Sequence, residues 1–464
     1  MATMIDRMLI SLTAWMLAAH AMAQYDLYVS LLKDGTLEET VEAITEGECY
    51  TVTSMKVNGP INGRDMMFIR DLCGVKDLDT TTEGKLVTLD LTDAYVVASP
   101  DVYLSLFDVD FTSKDGHFGS GFLYNCSRLR EVMLPVGTVA IDTLAFANCA
   151  ALTELMIPPE VYSIGYRAFY GCASISYLAL PDFVTTVEDG AFQNMDSLEE
   201  LVLGNAVTTL DHAAIQGDDR LQNIYLGRSF RQYSPDLFYR SPSLQNINVT
   251  VGNPWLSSID GVLFSASGDS LLAFPPASVM AEYDVPEGVR HIAPYAFGGC
   301  VVPVIYLGDQ VEHIGEMAFF HASTSQIILG KGVQSIGRSV VEGCSSLRDV
   351  VCHAVPEDSG MAEEAFLDSE GSVRNQCVLY VLPGTADTMR RKRGFCDSEG
   401  VSYFKTVEEI VGADMIVETP YGDSARPADG LRYYDSEGRV AGPHHQGFNI
   451  VVMPDGKAAK YFKK

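Results

Sequence analysis

Three segments of the chain repeat one phrase at a fixed spacing of 23 residues. They start at Ala145, Ala168 and Ala191 and read AFANCAALTELMIP, AFYGCASISYLALP and AFQNMDSLEELVLG. A fixed period of this length is typical of stacked repeat arrays, because each unit can bury its apolar side only against its neighbours. The sequence therefore predicts a repeat solenoid, in which function lies on an extended surface.

Each part of the repeat, A-F-x-x-C-x-x-L-x-x-L-x-L-P, predicts a structural role. The alternation in L-x-L indicates a short strand with the leucines directed inward. A later V-x-x-I step predicts a return strand on the far side, and one Phe in each unit would fill the space between the two strands. Gly165, Gly315 and Gly337 would then permit a tight turn into the next unit. We call one such unit a coil. The positions equivalent to Phe indicate nine coils in two runs, at Phe122, Phe146, Phe169, Phe192, Ile215 and Phe238, then at Phe297, Phe319 and Val341.

The cysteines follow the same rhythm. Cys126, Cys149 and Cys172 are 23 residues apart, and Met195 takes the next equivalent place. A Cys that alternates with Met in a repeat behaves as a small core hydrophobe, so we expect free thiols. Cys300 and Cys344 fit the same role. The spacing leaves open a disulfide among the remaining cysteines, Cys49, Cys73, Cys352, Cys377 and Cys396.

The regions outside the repeats carry other signals. Met8–Ala19 is apolar and too short to span a bilayer, and Ala21-Met22-Ala23 fits a signal-peptide cleavage site. Residues 253–277 indicate a β-hairpin that turns at Ser267-Gly268-Asp269. The predicted organisation is a signal peptide (1–23), an N-terminal cap (24–117), a first run (118–250), a hairpin insertion (251–285), a second run with a C-terminal cap (286–410), a linker (411–430) and a small β-domain (431–464).

Three features of the sequence together resemble the BspA-like leucine-rich repeat proteins, which are bacterial surface proteins. The features are the repeats, the break at Asp260–Phe297 and a closing VLYVLPGTADTMRRKRGF at Val378–Phe395. The resemblance implies a strand-rich, right-handed leucine-rich repeat superhelix of coils of 22–23 residues that ends in a strand and a basic helix. Residues 431–464 are similar to C-terminal β-domains of exported bacterial proteins, some of which are sorting signals; a small sheet without that role is the alternative.

Charge and motifs argue against several classes of function. The formal net charge is −29, from 61 acidic and 32 basic residues, which disfavours nucleic acid and anionic membranes as partners. The sequence has no phosphate-binding loop, no G-x-S-x-G elbow and no H-E-x-x-H. We therefore predict no catalytic, cofactor or metal site. The dense basic run Arg390–Arg393 indicates a solvated helix, or else a contact with anionic polysaccharide or lipid headgroups.

The most informative positions flank the second Leu of each strand and should face solvent. We call this side of the strands the concave face. Its side chains are aromatic, amide, acidic or apolar, without Lys or Arg, which is typical of a recognition surface. The predicted binding residues are Glu131, Met133, Glu154, Met156, Tyr177, Glu200, Asn223, Tyr225, Asn246, Asn248, Tyr306, Gln326 and Asp349.

From this face we predict a non-catalytic, monomeric protein that binds a protein or a glycan, and the signal peptide predicts that it is exported. The resemblance implies that it acts in the manner of an adhesin. The resemblance extends this to host matrix proteins and other cell-surface proteins as partners. The alternatives are an accessory glycan-binding module of a polysaccharide-utilisation system and a structural surface spacer. A hydrolase-associated role would need paired carboxylates in a cleft. Glu131 and Glu154 should lie about 4.8 Å apart on an open face, which disfavours it.

Overall fold

The structure is a computed structural model that describes residues 25–77, 80–106, 108–211 and 213–410, with the backbone of three strands beyond residue 431. The predicted signal peptide and linker lie outside the described residues. The chain divides into two units, residues 1–176 and 177–464, which we treat separately. Within the described residues, no helix has the length and apolar character needed to cross a membrane.

The first unit is built mainly from short strands. Its two α-helices are α1 (Leu37–Thr45) and α2 (Gly63–Leu72), and a 3₁₀ turn covers Cys49–Thr51. Its strands are β1 (Leu27–Ser30), β2 (Ser54–Ile61), β3 (Thr88–Asp90), β4 (Ala94–Val96), β5 (Val102–Leu106), β6 (Val109–Thr112), β7 (His117–Phe118), β8 (Glu131–Met133), β9 (Ala140–Ile141), β10 (Glu154–Met156) and β11 (Ser163–Ile164).

Two parallel ladders enclose the core of this unit. One ladder has the order β1-β2-β3-β8-β10, and the return strands β7, β9 and β11 form the other. Three strands of the region without a period therefore continue the sheet of the repeats. Between the ladders, Phe146 stacks on Phe118 and on Phe169 with ring centroids 4.7 and 5.3 Å apart. This is the role predicted for the repeated Phe.

A buried carboxylate holds the two helices of the first unit together. Asp65 accepts the backbone N–H groups of Leu37 and Asn62, both at 2.9 Å, and that of Gly35 at 2.6 Å. The Asn62 side chain completes a capping box at the start of α2. Burial raises the pKa of Asp65, although these hydrogen bonds oppose the rise.

The second unit continues the pattern over more coils. Its helices are α3 (Ser372–Gln376) and α4 (Ala386–Arg390), with a 3₁₀ turn at Asp358–Gly360. Its strands are β12 (Tyr177–Ala179), β13 (Thr186–Val187), β14 (Glu200–Val202), β15 (Thr209–Leu210), β16 (Asn223–Leu226), β17 (Gln232–Tyr233), β18 (Asn246–Val249), β19 (Leu256–Ile259), β20 (Val262–Ser265), β21 (Ser270–Ala273), β22 (Glu282–Asp284), β23 (His291–Ile292), β24 (Val304–Tyr306), β25 (His313–Ile314), β26 (Gln326–Leu329), β27 (Ser335–Ile336), β28 (Asp349–Cys352), β29 (Val378–Val381), β30 (Thr406–Glu409), β31 (Arg432–Asp435), β32 (Gly447–Val452) and β33 (Ala458–Lys463).

Two parallel sheets carry the repeats of this unit. The first has the order β12-β14-β16-β18 and the second the order β22-β24-β26-β28-β29-β30. The predicted hairpin is confirmed as the antiparallel pair β20–β21, and β19 adds a further antiparallel strand that the sequence did not predict. From β21 the chain returns to parallel pairing through β23, β25 and β27. Strands β31, β32 and β33 form a separate antiparallel sheet.

Glycine serves a different purpose here from the one the sequence predicts. We expected Gly165, Gly315 and Gly337 to permit a tight turn. None of the three has a positive φ. Instead, a Cβ on Gly315 would lie 2.5 Å from the backbone nitrogen of Pro294 in the preceding coil, and the other two glycines are equally close to Thr143 and Glu316. Glycine is needed because the backbones of adjacent coils nearly touch.

All ten cysteines are buried free thiols, as predicted for the ladder. Cys149 donates to the carbonyl of Leu123 at 3.1 Å, and Cys172 donates to that of Phe146 at 3.2 Å. Each thiol thus bonds to a carbonyl of the coil before it. In the fifth coil the equivalent position holds Asp218, which is fully buried.

Candidate functional site

The first run of the second unit carries six of the predicted binding residues. Tyr177, Glu200, Asn223 and Asn246 follow one another in register across β12, β14, β16 and β18. Tyr225 and Asn248 form a second row beside them. The strand alternation directs the intervening Leu178, Leu201, Ile224 and Ile247 into the core, where each is fully buried.

The electrostatics of this face come from neutral and acidic groups. Tyr177 is 49% exposed. Its pKa is raised by partial burial and further by the neighbouring Glu200 and Tyr225. Asn246 donates from Nδ2 to Oδ1 of Asn223 at 2.9 Å. The face therefore offers an aromatic ring, a carboxylate and an aligned amide pair to a partner.

The first unit presents its own group of predicted residues. Glu131 pairs in register with Glu154, and Met133 pairs with Met156. Both carboxylates are exposed, so nothing on this face excludes water from them as glycoside hydrolysis would need. Met156 is 55% exposed, which leaves an apolar patch beside the acids.

A polar cluster that the sequence did not single out borders this patch. Asp90, in register with Met133, accepts the Tyr25 hydroxyl at 2.7 Å and pairs with Lys56 at 3.1 Å. Burial and the hydrogen bond to Asp90 raise the pKa of Tyr25 to about 12. Burial alone would raise the pKa of Asp90, but its hydrogen bonds leave that pKa lowered. The sequence analysis missed this cluster because the 23-residue period does not extend to β2 and β3, so it gave no indication of which side chains meet there.

The second run differs from the prediction. We expected Val304, Tyr306, Gln326, Ile328 and Val351 to face solvent. All five are buried, with exposures of 0–8%, and Asp349 is partly buried. Their direction is as predicted, since they alternate with the core residues of the same strands. Expecting exposure was wrong because Val304, Tyr306, Ile328 and Val351 form a second apolar cluster on the opposite side of the sheet.

The basic run at the end of the repeats is largely neutralised. Arg390 pairs with Asp387 at 2.9 Å, Lys392 with Asp358 at 3.0 Å and Arg393 with Glu363 at 3.4 Å. Only Arg390 lies in α4, which ends at that residue, so the prediction of a helix over the whole basic run is wrong for Arg391, Lys392 and Arg393. Among the residues that the structure describes, no group of three or more His, Cys, Asp or Glu side chains could hold a metal ion.

The parallel strands, few helices and coil-to-coil pairing define a strand-rich repeat protein, consistent with a leucine-rich repeat solenoid. The family model described as the BspA type leucine rich repeat region matches residues 116–245 and 273–369 in six copies. The repeats of the chain are therefore BspA-type leucine-rich repeats. A comparison with curated proteins gave no match.

Several solved structures are similar to parts of this chain. One is a leucine-rich repeat protein from Eubacterium ventriosum, at 21% identity over 62% of this chain and 74% of that one, with a TM-score of 0.46. Another is a leucine-rich cell surface protein from Faecalibacterium prausnitzii, at 21% identity, 63% and 82% coverage and a TM-score of 0.42. The pneumococcal vaccine antigen PcpA is similar at 17% identity, 61% and 80% coverage and a TM-score of 0.43.

Proposed function

We propose that this chain is an exported, non-catalytic surface protein that binds a protein or a glycan through its concave face. The family supports a binding role rather than catalysis, and the fold alone does not specify the partner. Export would remove residues 1–23, so that the mature protein starts at Gln24. Amino-terminal sequencing of the protein recovered from the cell surface or the medium tests that step, and a retained Met1 would contradict it.

The observation that carries the proposal is the row of exposed and half-exposed side chains on β12, β14, β16 and β18. A tyrosine ring offers contact area at a small cost in conformational entropy, and amides adapt their hydrogen bonds to a partner. Glu200 and Tyr225 lie near Tyr177, and the Asn223–Asn246 pair is already aligned. These side chains are therefore ordered before a partner binds, and they would lose little conformational freedom on binding.

Binding of the full chain to immobilised matrix proteins and to a glycan array tests the proposal. The Tyr177→Ala, Tyr225→Ala double variant should lose affinity by about thirtyfold or more, because truncating an aromatic hot spot at the centre of an interface costs about 2 kcal/mol or more. Tyr162→Ala is the matched control, since Tyr162 is 47% exposed and lies outside the concave strands. Equal affinity of the double variant and the wild type would refute the assignment of the face.

A further inference from the structure

The concave side of the second run is covered. In β24, β26 and β28, the core side chains Ile305, Ile327 and Val350 are at most 1% exposed, as their inward direction requires. The residues that follow them, Tyr306, Ile328 and Val351, point to the opposite side and are still only 8%, 7% and 0% exposed. A sheet with one face on the core leaves its other face to water unless a further layer covers it.

Neighbouring strands do not account for this burial. The first run of the same unit provides an internal comparison, because Val202 and Tyr225 occupy equivalent positions with strands on both sides. Both remain partly exposed. Pairing within the sheet therefore leaves such side chains accessible, and the second run needs an additional covering segment.

The course of the chain indicates which segment this is. Tyr380 and Ile410 are the partly buried hydrophobic residues that pack against the cluster. Ile410 directly follows β30, the last strand of the sheet, and donates its backbone N–H to the Val381 carbonyl at 2.8 Å. The chain thus leaves its last repeat strand in contact with this cluster.

The charges at the edges of this face are also complementary to those near the end of the chain. Asp284 and Glu408 are exposed at the two ends of the row that holds Tyr306, Ile328 and Val351. The last 17 residues, 448–464, combine an apolar stretch, Phe448–Met453, with one acidic residue, Asp455, and four lysines at 457, 460, 463 and 464. We propose that the C-terminal segment, residues 411–464, docks on the concave side of the second run of its own molecule and covers Val304, Tyr306, Ile328 and Val351.

With the segment docked, only part of the concave face would be available to a partner. The first-run residues of the second unit stay open to a partner, whereas the second-run residues become accessible only when the segment is released. The segment would then compete with any apolar partner for the same strands. The docking is independent of the proposed function, because it concerns a contact within one molecule.

Maleimide labelling of the full chain tests the docking, since its own cysteines are all buried. The Ile328→Cys variant should react at least about tenfold more slowly than Val202→Cys, because a covered thiol reacts only when the structure opens. Adding Ile450→Asp should release the segment, speed the reaction of Ile328→Cys and leave Val202→Cys unchanged. Fast labelling of Ile328→Cys in the otherwise unchanged chain would overturn the proposal, as would slow labelling that Ile450→Asp does not alter.

A second measurement covers the case in which a cysteine at residue 328 impairs folding. Tyr306 is replaced by the photoreactive residue benzoylphenylalanine, which keeps an aromatic ring, and the cross-linked peptides are identified by mass spectrometry in a mixture of isotopically light and heavy protein. We expect cross-links to residues 411–464 within one isotopic form. Cross-links between light and heavy chains would assign the cover to a second copy, and an absence of cross-links to residues 411–464 would exclude the segment; either result overturns the proposal.

Discussion

Phe146 offers the sharpest test of how the coils hold together. Its ring is fully buried between those of Phe118 and Phe169, and the planes are within 8° of parallel on both sides. Replacing a buried Phe by Ala costs about 3–5 kcal/mol through lost burial and the cavity left behind. That range already includes the loss of aromatic contacts, each of which contributes about 0.5–1.5 kcal/mol. Because Phe146 makes two such contacts, we expect Phe146→Ala to lie toward the upper end of the range, at about 4–5 kcal/mol.

Urea unfolding followed by far-UV circular dichroism measures this loss. With a slope of about 3 kcal/mol/M, the midpoint of the affected transition should fall by about 1.5 M. The control is Phe183→Ala, because Phe183 is 71% exposed and its removal should change stability by less than about 0.5 kcal/mol. If Phe146→Ala unfolds at the wild-type midpoint, the ring does not fill the space between coils and the stacking argument fails.

Three further predictions concern buried or crowded positions. Burial raises the pKa of Asp218 well above its ordinary value, so stability should be lost as the pH rises through that raised pKa. Melting temperatures across the pH range should therefore fall less in Asp218→Asn than in the wild type or in the exposed control Asp189→Asn; parallel curves would contradict this. Gly315→Ala should destabilise by about 1–3 kcal/mol in urea, because its Cβ would strike backbone, whereas Gly137→Ala, with nothing within 4 Å, should be nearly neutral; equal midpoints would refute the close approach. Ellman's reagent should find no fast-reacting thiol in the native protein and ten after denaturation, since all ten cysteines are buried; rapid native reaction would show an accessible thiol.

The periodic part of the fold could be predicted because residues that are 23 positions apart in the sequence occupy equivalent buried positions in successive coils. Phe146 and Cys149 return one coil later as Phe169 and Cys172, and Leu152 is matched there by Ile175; all six side chains are fully buried. The hairpin was equally readable, since Gly268 supplies the positive φ at its turn. In these cases a local chemical requirement determines the residue type, so the pattern and the structure agree.

Other features depend on contacts that no local pattern encodes. Strand β2 lies outside the 23-residue period, so the period does not indicate that this strand pairs with β3 in the sheet of the repeats. The alternation in β26 correctly predicts that Ile327 and Ile328 face opposite sides, but it carries no information about what covers Ile328. Asp218 occupies a position where three earlier coils carry Cys and one carries Met, and only the structure shows that its carboxyl is buried there.

Register from coil to coil also determines how such a chain can change in length. Glu200, Asn223 and Asn246 occupy one row because each is 23 residues from the next. Deleting residues 200–222 would bring Asn223 beside Tyr177 and preserve both ladders. Deleting a few residues fewer would shift one ladder against the other. Insertions and deletions in this gene should therefore be tolerated in whole coils, so that the binding row grows or shortens by one side-chain pair at a time.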